Sequence, residues 1–347
     1  MAVTEAPTRA APAGKKTPKS STEGSGRLAA MLLTPTMLVL LVVIGYPIIA
    51  AFRQSLYSQS QGVDESGFVV QGDQFVALDN YTAVFKGAAA SAFWNAFYNT
   101  TFFTVICVVV EVVIGVAMAL IMNKAFRGKG LIRASILVPW AIPTVVSALL
   151  WRWIFDANGV ANKLLGSQIL WATDGPQAKA AIILADTWKT APFIGLLTLA
   201  GLQVIPAEVY EAARLDGANA LKQFWHITLP LVKPALLVAV LFRILDNLRM
   251  FDLPFVLIGR GKPSVETLSI LAYLENNNSR FGAAAAYAVL LFLYVVIVAY
   301  AFVKLLGADV IGDAAAKKPK AAGGRRWTRG NAARGGAVRG VARGDTP

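Results

Sequence analysis

Histidine and cysteine are almost missing from this chain: among 347 residues His226 and Cys107 are each the only one of their kind. A lone histidine excludes a multi-histidine metal site and a Ser-His-Asp triad built within the chain. A lone cysteine set in an apolar run excludes a disulfide framework and a thiolate metal site. Phosphate-loop chemistry is missing too. No G-x-x-x-x-G-K-[ST] occurs, and "GKKT" at 14–17 has no glycine at the required place upstream. Charge is scarce: 15% of residues are Asp, Glu, Lys or Arg, against about 25% in soluble domains. That deficit, with 56% hydrophobic residues and a mean hydropathy of +0.55, places the chain in a membrane.

Runs of about 20 apolar residues are the length of a spanning helix. Six are present: roughly 28–52, 100–122, 134–155, 178–202, 234–258 and 281–306. The fifth is interrupted by charges. The first lacks a small-residue cleavage site and reads as a retained anchor. The expected fold is therefore all-α: a polytopic bundle of about six transmembrane helices, 28–306, between tails at 1–27 and 307–347. With six crossings both tails share one side. The tails with Lys304, plus loops 123–133 and 203–233, hold 22 Lys and Arg; loops 53–99, 156–177 and 259–280 hold 6. The positive-inside rule puts the tails in the cytoplasm. The long 53–99 loop, with Asp64, Glu65, Asp73 and Asp79, then faces outward.

Both tails have compositions that resist folding, Ala/Pro/Thr/Lys-rich at the start and Gly/Ala/Arg-rich at the end. Trp327 is the one aromatic in the basic tail. Base stacking along a nucleic acid needs more than that, so no nucleic-acid partner is expected.

The inner-side connector 203–233 is too ordered for a linker. "AEVYEAARL" is strong helix-forming sequence, with Pro206 at its start and Glu208 near its positive end. Gly217 supplies a turn. Asn219 is placed to cap a second short helix, "ALKQFWHIT", which Pro230 and Pro234 are expected to end. Tyr210, Leu215, Leu221, Phe224 and Trp225 give the hairpin apolar surface. That surface belongs either against lipid and the chain's own spans or in a partner's groove.

"EAARLDGANALKQFWHITLP" resembles the signature of permease subunits of bacterial binding-protein-dependent ABC importers. The matching positions are Glu211, Ala212, Ala213, Gly217, Ile227, Leu229 and Pro230. "LDNYTAVF" at 78–85, the stretch 136–165 and the stretch 251–273 are similar to the maltose-type, sugar-importing branch, with the closest look to actinobacterial permeases for trehalose or related disaccharides. The resemblance implies that segment 206–230 is a coupling helix docking on an ATPase. It also implies a heteromer with a second homologous permease, two ATP-binding-cassette ATPases and an extracytoplasmic sugar-binding lipoprotein. The chain itself is then no enzyme and holds no cofactor, ATP and Mg being used by the ATPases.

Ionisable groups inside a bilayer normally face a bundle interior or a wet cavity. "FRILDNLRMFD" places Arg243, Asp246, Arg249 and Asp252 three residues apart, so on one helix they would form a self-neutralising row. Pro254 is expected to bend that helix. Asp186 and Lys189 have the same spacing, with Trp188 between them. Glu111 lies within the second run and Arg152 near the outer end of the third. As a sugar path, Asp186, Trp188, Lys189, Asp246, Asn247, Arg249 and Asp252 offer hydrogen bonds and an aromatic platform. As structure, the same charges lock span to span. Gly115 and Ala119 suit close helix packing. Trp140, Trp151, Trp153 and Trp171 read as interface anchors.

The mechanism implied is alternating access to a sugar, driven by the partner ATPases. Two other readings compete. One is an ion-coupled secondary transporter with Asp186 or Asp246 titrating, against which no internal repeat is visible. The other is a membrane enzyme or receptor with a lipid-bound hairpin. Within the resembling family, glycerol phosphate or oligosaccharides are alternative solutes.

Overall fold

The computed structural model describes residues 22–63, 69–124 and 128–307. Residues 1–21 and 308–347, including Trp327, and Asp64 and Glu65 lie outside the described residues.

The first apolar run builds α1 (Thr22–Leu40) and α2 (Tyr46–Gln54), joined through one π-turn. A hairpin follows, β1 (Tyr57–Val63) antiparallel to β2 (Val69–Phe75), with Tyr57 opposite Phe75. Then come α3 (Asp79–Val84) and α4 (Gly87–Asn123). Next are α5 (Lys129–Ala141), α6 (Thr144–Ile154), α7 (Val160–Leu165) and α8 (Pro176–Leu202). The connector forms α9 (Ala207–Leu215) and α10 (Ala220–Gln223). The last elements are α11 (Leu229–Asn247), α12 (Asp252–Leu257), α13 (Leu268–Asn277) and α14 (Phe281–Phe302). Among the described residues five helices are long and apolar enough to cross a membrane, six if α5 and α6 count as one broken span. The fold is all-α in its membrane part; the hairpin in the 53–99 loop is an addition that its polar composition did not announce.

The helices meet through small residues. A methyl group added to Gly115 would lie 2.8 Å from Ile194, and one added to Gly195 would lie 3.2 Å from the Gly115 carbonyl. Gly115 therefore lets α4 and α8 touch, and Ala119 is fully buried one turn further on. At 37 residues α4 is about 55 Å long, beyond the roughly 30 Å of a hydrocarbon core. Its projecting first turns place Phe93 and Ala96 against Leu268, Leu271 and Tyr287.

The bundle has two distinct ends. At one, Ala119, Met122, Leu199, Leu202 and Val232 form a cluster, and the Arg133 guanidinium donates to the Met122 carbonyl at 2.8 Å. At the other, loop 258–267 is tied down by side chains. Asn99 donates to the carbonyls of Pro263 (2.7 Å) and Glu266 (2.9 Å), and Lys179 donates to Asn99 Oδ1 at 2.9 Å. The Ser264 hydroxyl and N–H both donate to Asp174 Oδ1, which holds that carboxyl below its usual range.

Several expectations fail in detail. The third run is two helices bent by 95°, broken at Ile142 and Pro143. A residue before proline is pushed out of the helical region, and Ile142 is extended (φ −75°, ψ 133°). The fifth span runs Ala220–Asn247, not 234–258. Pro230 and Pro234 do not stop it: a π-turn, Phe224–Thr228, widens the helix just before Pro230, and Pro230 falls in the first turn of α11. Pro254 does not bend this span either, because the helix ends at Asn247 and Pro254 sits in the first turn of α12. Trp171 is no interface anchor. It is 9% exposed, its indole N–H donates to Asn162 Oδ1 at 2.9 Å, and its ring lies 4.8 Å from that of Phe155.

Gly282 fixes the hairpin to the bundle. A side chain there would overlap the Tyr57 carbonyl, to which Asn80 donates at 2.9 Å. Gly282→Val is expected to separate the hairpin base from α14 and destabilise the protein by about 1–3 kcal/mol. Limited proteolysis should then cut near residues 55–80 faster than in the wild type.

Candidate functional site

Two features stand apart from ordinary bundle packing, one at the end of the bundle and one inside it. The first is the helix–turn–helix at 206–230. Pro206 is the N-cap of α9, one place before the first turn expected for it. Gly217 has φ +74°, with its N–H bonded to the Arg214 carbonyl (3.1 Å) and the Ala218 N–H to the Ala213 carbonyl (2.9 Å). This is the two-bond, left-handed ending of a helix that glycine serves best. Asn219 then caps the next helix, its Oδ1 accepting from the Lys222 N–H at 2.9 Å. Tyr210 and Thr228 hydroxyls, 3.1 Å apart, tie the two arms together.

What this hairpin presents outward matters most. Ala213 is buried at 8% exposure, Ile227 and Leu229 are half-buried, and Glu211, Ala212, Gly217 and Pro230 are exposed. Leu215 is 89% exposed, Leu221 67% and Trp225 56%. Glu211 has no hydrogen bond or ion pair among the described residues. The arrangement is an ordered, partly apolar knob with an unpaired carboxylate beside it.

The second feature is a charge cluster uniting three helices. Arg243 of α11 donates to Glu111 of α4 through Nε (2.7 Å) and Nη2 (2.9 Å). The same guanidinium reaches Asp186 of α8 at 3.1 Å, Asp246 at 2.5 Å and Asn247 Oδ1 at 3.2 Å. Thr190 Oγ1 lies 2.7 Å from Glu111 Oε1 and 2.6 Å from the Asp186 carbonyl, so its one proton serves one at a time. Glu111 is fully buried and Arg243 3% exposed. One cation thus faces three carboxylates across α4, α8 and α11.

A cavity of about 170 Å³ opens beside this cluster. Asp186, Lys189, Asp246, Asn247, Arg249 and Asp252 all line it. Trp188 does not: it packs edge-on against Trp151, ring centres 5.7 Å apart, and lines an apolar recess on the other side of α8. The aromatic walls are instead Trp140 and Phe251, with Phe251 stacked on Phe255 at 4.9 Å. The four-membered row of alternating charges does not form. α11 ends at Asn247, leaving Arg249 in a turn where its Nε donates to the Leu245 carbonyl, and Asp252 opens the next helix. Nor do Asp186 and Lys189 pair; the Lys189 ammonium donates to the Ile142 carbonyl at 2.9 Å. The Asn247 amide nitrogen is buried in the cavity wall with no partner among the described residues.

Glu111, Thr190 and Arg243 are members of the cluster that spacing alone did not unite. The available signal was their rarity: a buried Glu and a buried Arg in apolar runs must find each other or a wet cavity. No cluster of three or more potential metal ligands occurs among the described residues.

The chain is similar to known proteins over most of its length. A family profile described as "Binding-protein-dependent transport system inner membrane component" matches residues 111–312. The trehalose/maltose transport system permease protein MalF of Thermococcus litoralis is 37% identical over 285 residues, 80% of this chain and 93% of that one. The sulfoquinovosyl glycerol transport system permease protein SmoG of Agrobacterium fabrum is 35% identical, covering 82% and 91%. The trehalose transport system permease protein SugA of Mycobacterium tuberculosis is likewise 35% identical, covering 82% and 91%. Among solved structures, a bacterial alginate ABC transporter, in complex with an alginate pentasaccharide-bound periplasmic protein, contains a chain that superposes with a TM-score of 0.68. It is 20% identical, over 81% of this chain and 93% of that one.

Proposed function

Because this chain belongs to the family of inner-membrane components of binding-protein-dependent transport systems, and is a multi-pass permease subunit of a sugar ABC importer, not an enzyme, we propose that it carries a disaccharide, with trehalose as the first candidate, through the cavity beside Arg243. The observation that carries this reading is the pairing of features within one chain: an exposed, capped hairpin at one end and a polar cavity inside the bundle.

Physical chemistry supports the cavity as a sugar path. Its wall combines carboxylates, an ammonium and two guanidinium groups with the unpartnered Asn247 amide nitrogen, which suits a dense array of hydroxyls. Trp140 and Phe251 supply flat apolar faces for the C–H side of a pyranose. At about 170 Å³ the cavity falls below the roughly 300–1,000 Å³ of ligand pockets, so a second homologous permease would complete it. Segment 206–230, with Glu211, Ala212, Ala213, Gly217, Ile227, Leu229 and Pro230, docks on one of two ATPase subunits. The excess of Lys and Arg at the hairpin end sets that end, and both tails, in the cytoplasm. An extracytoplasmic sugar-binding lipoprotein delivers solute to the opposite end.

Trehalose is favoured because two of the compared relatives carry it in their names. The test is ATP hydrolysis by the co-purified complex in lipid discs, titrated with trehalose, maltose, sulfoquinovosyl glycerol and glycerol 3-phosphate in the presence of its binding protein. The reading expects trehalose to stimulate hydrolysis at the lowest concentration. Stimulation by an anionic solute alone would overturn the choice of sugar, and failure to recover any ATPase with the chain would overturn the coupling.

A further inference from the structure

We infer that Lys189 is a positioning residue that holds the broken third span in register with the cavity, and that a solute hydroxyl engages this same ammonium during transport. The second half of this rests on the reading of the cavity as the sugar path; the first half does not.

The break leaves chemistry unfinished. A helix ends with carbonyls that have no partner inside it. At the end of α5, Ile142 and Pro143 are both extended, and Pro143 has no N–H to offer. In the low dielectric of a membrane interior an unpaired carbonyl is costly, so irregular backbone survives there only where protein or a wet cavity satisfies it. Among the described residues the Ile142 carbonyl is satisfied by one group, the Lys189 ammonium at 2.9 Å. A cation at the C-terminal end of a helix also meets the negative end of its dipole. Lys189 is 8% exposed, so its position is set by packing and not by solvent.

Its place beside a joint whose two halves are anchored differently gives the contact a role. Lys189 stands on α8, which is locked to α4 by the Gly115–Gly195 approach and to α4 and α11 by Arg243. The two halves of the broken span belong to different ends of the bundle. α5 is tied to the hairpin end by Arg133, and α6 packs on α12 toward the other end. Lys189 thus pins a 95° joint to a rigid block. Trp140 and Thr144 flank the joint and line the cavity beside it. An ammonium has three donors. One goes to Ile142; the others belong to a side chain that borders the cavity. Filling the cavity and holding the joint therefore compete for, or share, one cation.

The experiment places spin labels at Val138→Cys on α5 and Leu149→Cys on α6, both exposed positions, in the complete complex. Cys107 is fully buried and stays in place. Pulsed EPR reads the distance across the joint without sugar, and ATP hydrolysis is read with sugar-loaded binding protein. The wild type is expected to give one narrow distance distribution. Lys189→Met should broaden it and cut sugar-stimulated hydrolysis at least about tenfold. Lys189→Arg, which can reach the same carbonyl, should restore the narrow distribution. If Lys189→Met does not assemble, Lys189→Gln, a shorter donor, is read the same way. An unchanged, narrow distribution in Lys189→Met, with or without loss of hydrolysis, overturns the positioning role. A broadened distribution with full sugar stimulation overturns the shared-cation half. If no sugar stimulates even the wild type, the transport reading fails while the EPR result still decides the joint.

Discussion

Replacing Gly217 with proline is expected to abolish sugar uptake, a loss of at least about a hundredfold, while the protein still reaches the membrane. The reason is local. Gly217 has φ +74° and its N–H closes the end of α9 on the Arg214 carbonyl. Proline fixes φ near −65° and has no N–H, so both the reversal and the bond are lost. The effect is not one of crowding, since nothing lies within 4 Å of where a side chain would start. Gly217→Ala should therefore cost only about 1 kcal/mol of local stability and leave partial uptake. Glu211→Lys is expected to match the proline variant in uptake by a different route. Glu211 is exposed and unpaired, so reversing its charge leaves the fold intact and alters only what the hairpin offers a partner. Membrane-fraction immunoblots and radiolabelled trehalose uptake measure the two halves of this prediction. Normal uptake by both variants would remove the coupling role.

Arg243→Met is expected to be as damaging, for an internal reason. Among the described residues it removes the only cation hydrogen-bonded to Glu111, Asp186 and Asp246. Glu111, with no exposure, would keep only the Thr190 hydroxyl among the described residues. Breaking a buried pair by deleting one partner costs about 3–5 kcal/mol. The protein should melt at lower temperature in detergent and accumulate poorly in membranes. Pairing the change with Glu111→Gln removes the orphaned charge and should recover part of the lost stability, but not transport. A double variant no more stable than the single one would show that the cluster is held by something other than the Glu111–Arg243 pair.

Much of this molecule could be read from residue order. Apolar runs marked the first, fourth and last spanning helices closely, because length and hydropathy are what a bilayer selects. The Glu-Ala-Ala helix, the Gly217 turn and the Asn219 cap were legible because each rests on bonds between near neighbours in the chain. The failures share a cause. Spacing predicts contacts only while the helix lasts, and α11 ends at Asn247, so Arg249 and Asp252 fall off the row that Arg243 and Asp246 begin. Glu111 and Arg243 lie 132 positions apart, and no local pattern encodes such a meeting. Trp188 stands between Asp186 and Lys189 in the sequence. Successive helical residues point about 100° apart, and so it faces an apolar recess while its neighbours face the cavity. The bend at Ile142 was masked because both halves of the broken run are equally apolar, with Pro143 as its sole mark.

If hairpin 206–230 is the handle through which another subunit's ATP acts, the ATPase must bind to it. Affinity purification of the chain from membranes, with quantitation of the ATPase recovered per permease, tests this most directly. The wild type should bring down ATPase in fixed stoichiometry, and Glu211→Lys should bring down little or none at equal permease levels. Equal recovery of ATPase by wild type and Glu211→Lys would contradict the coupling role of the hairpin.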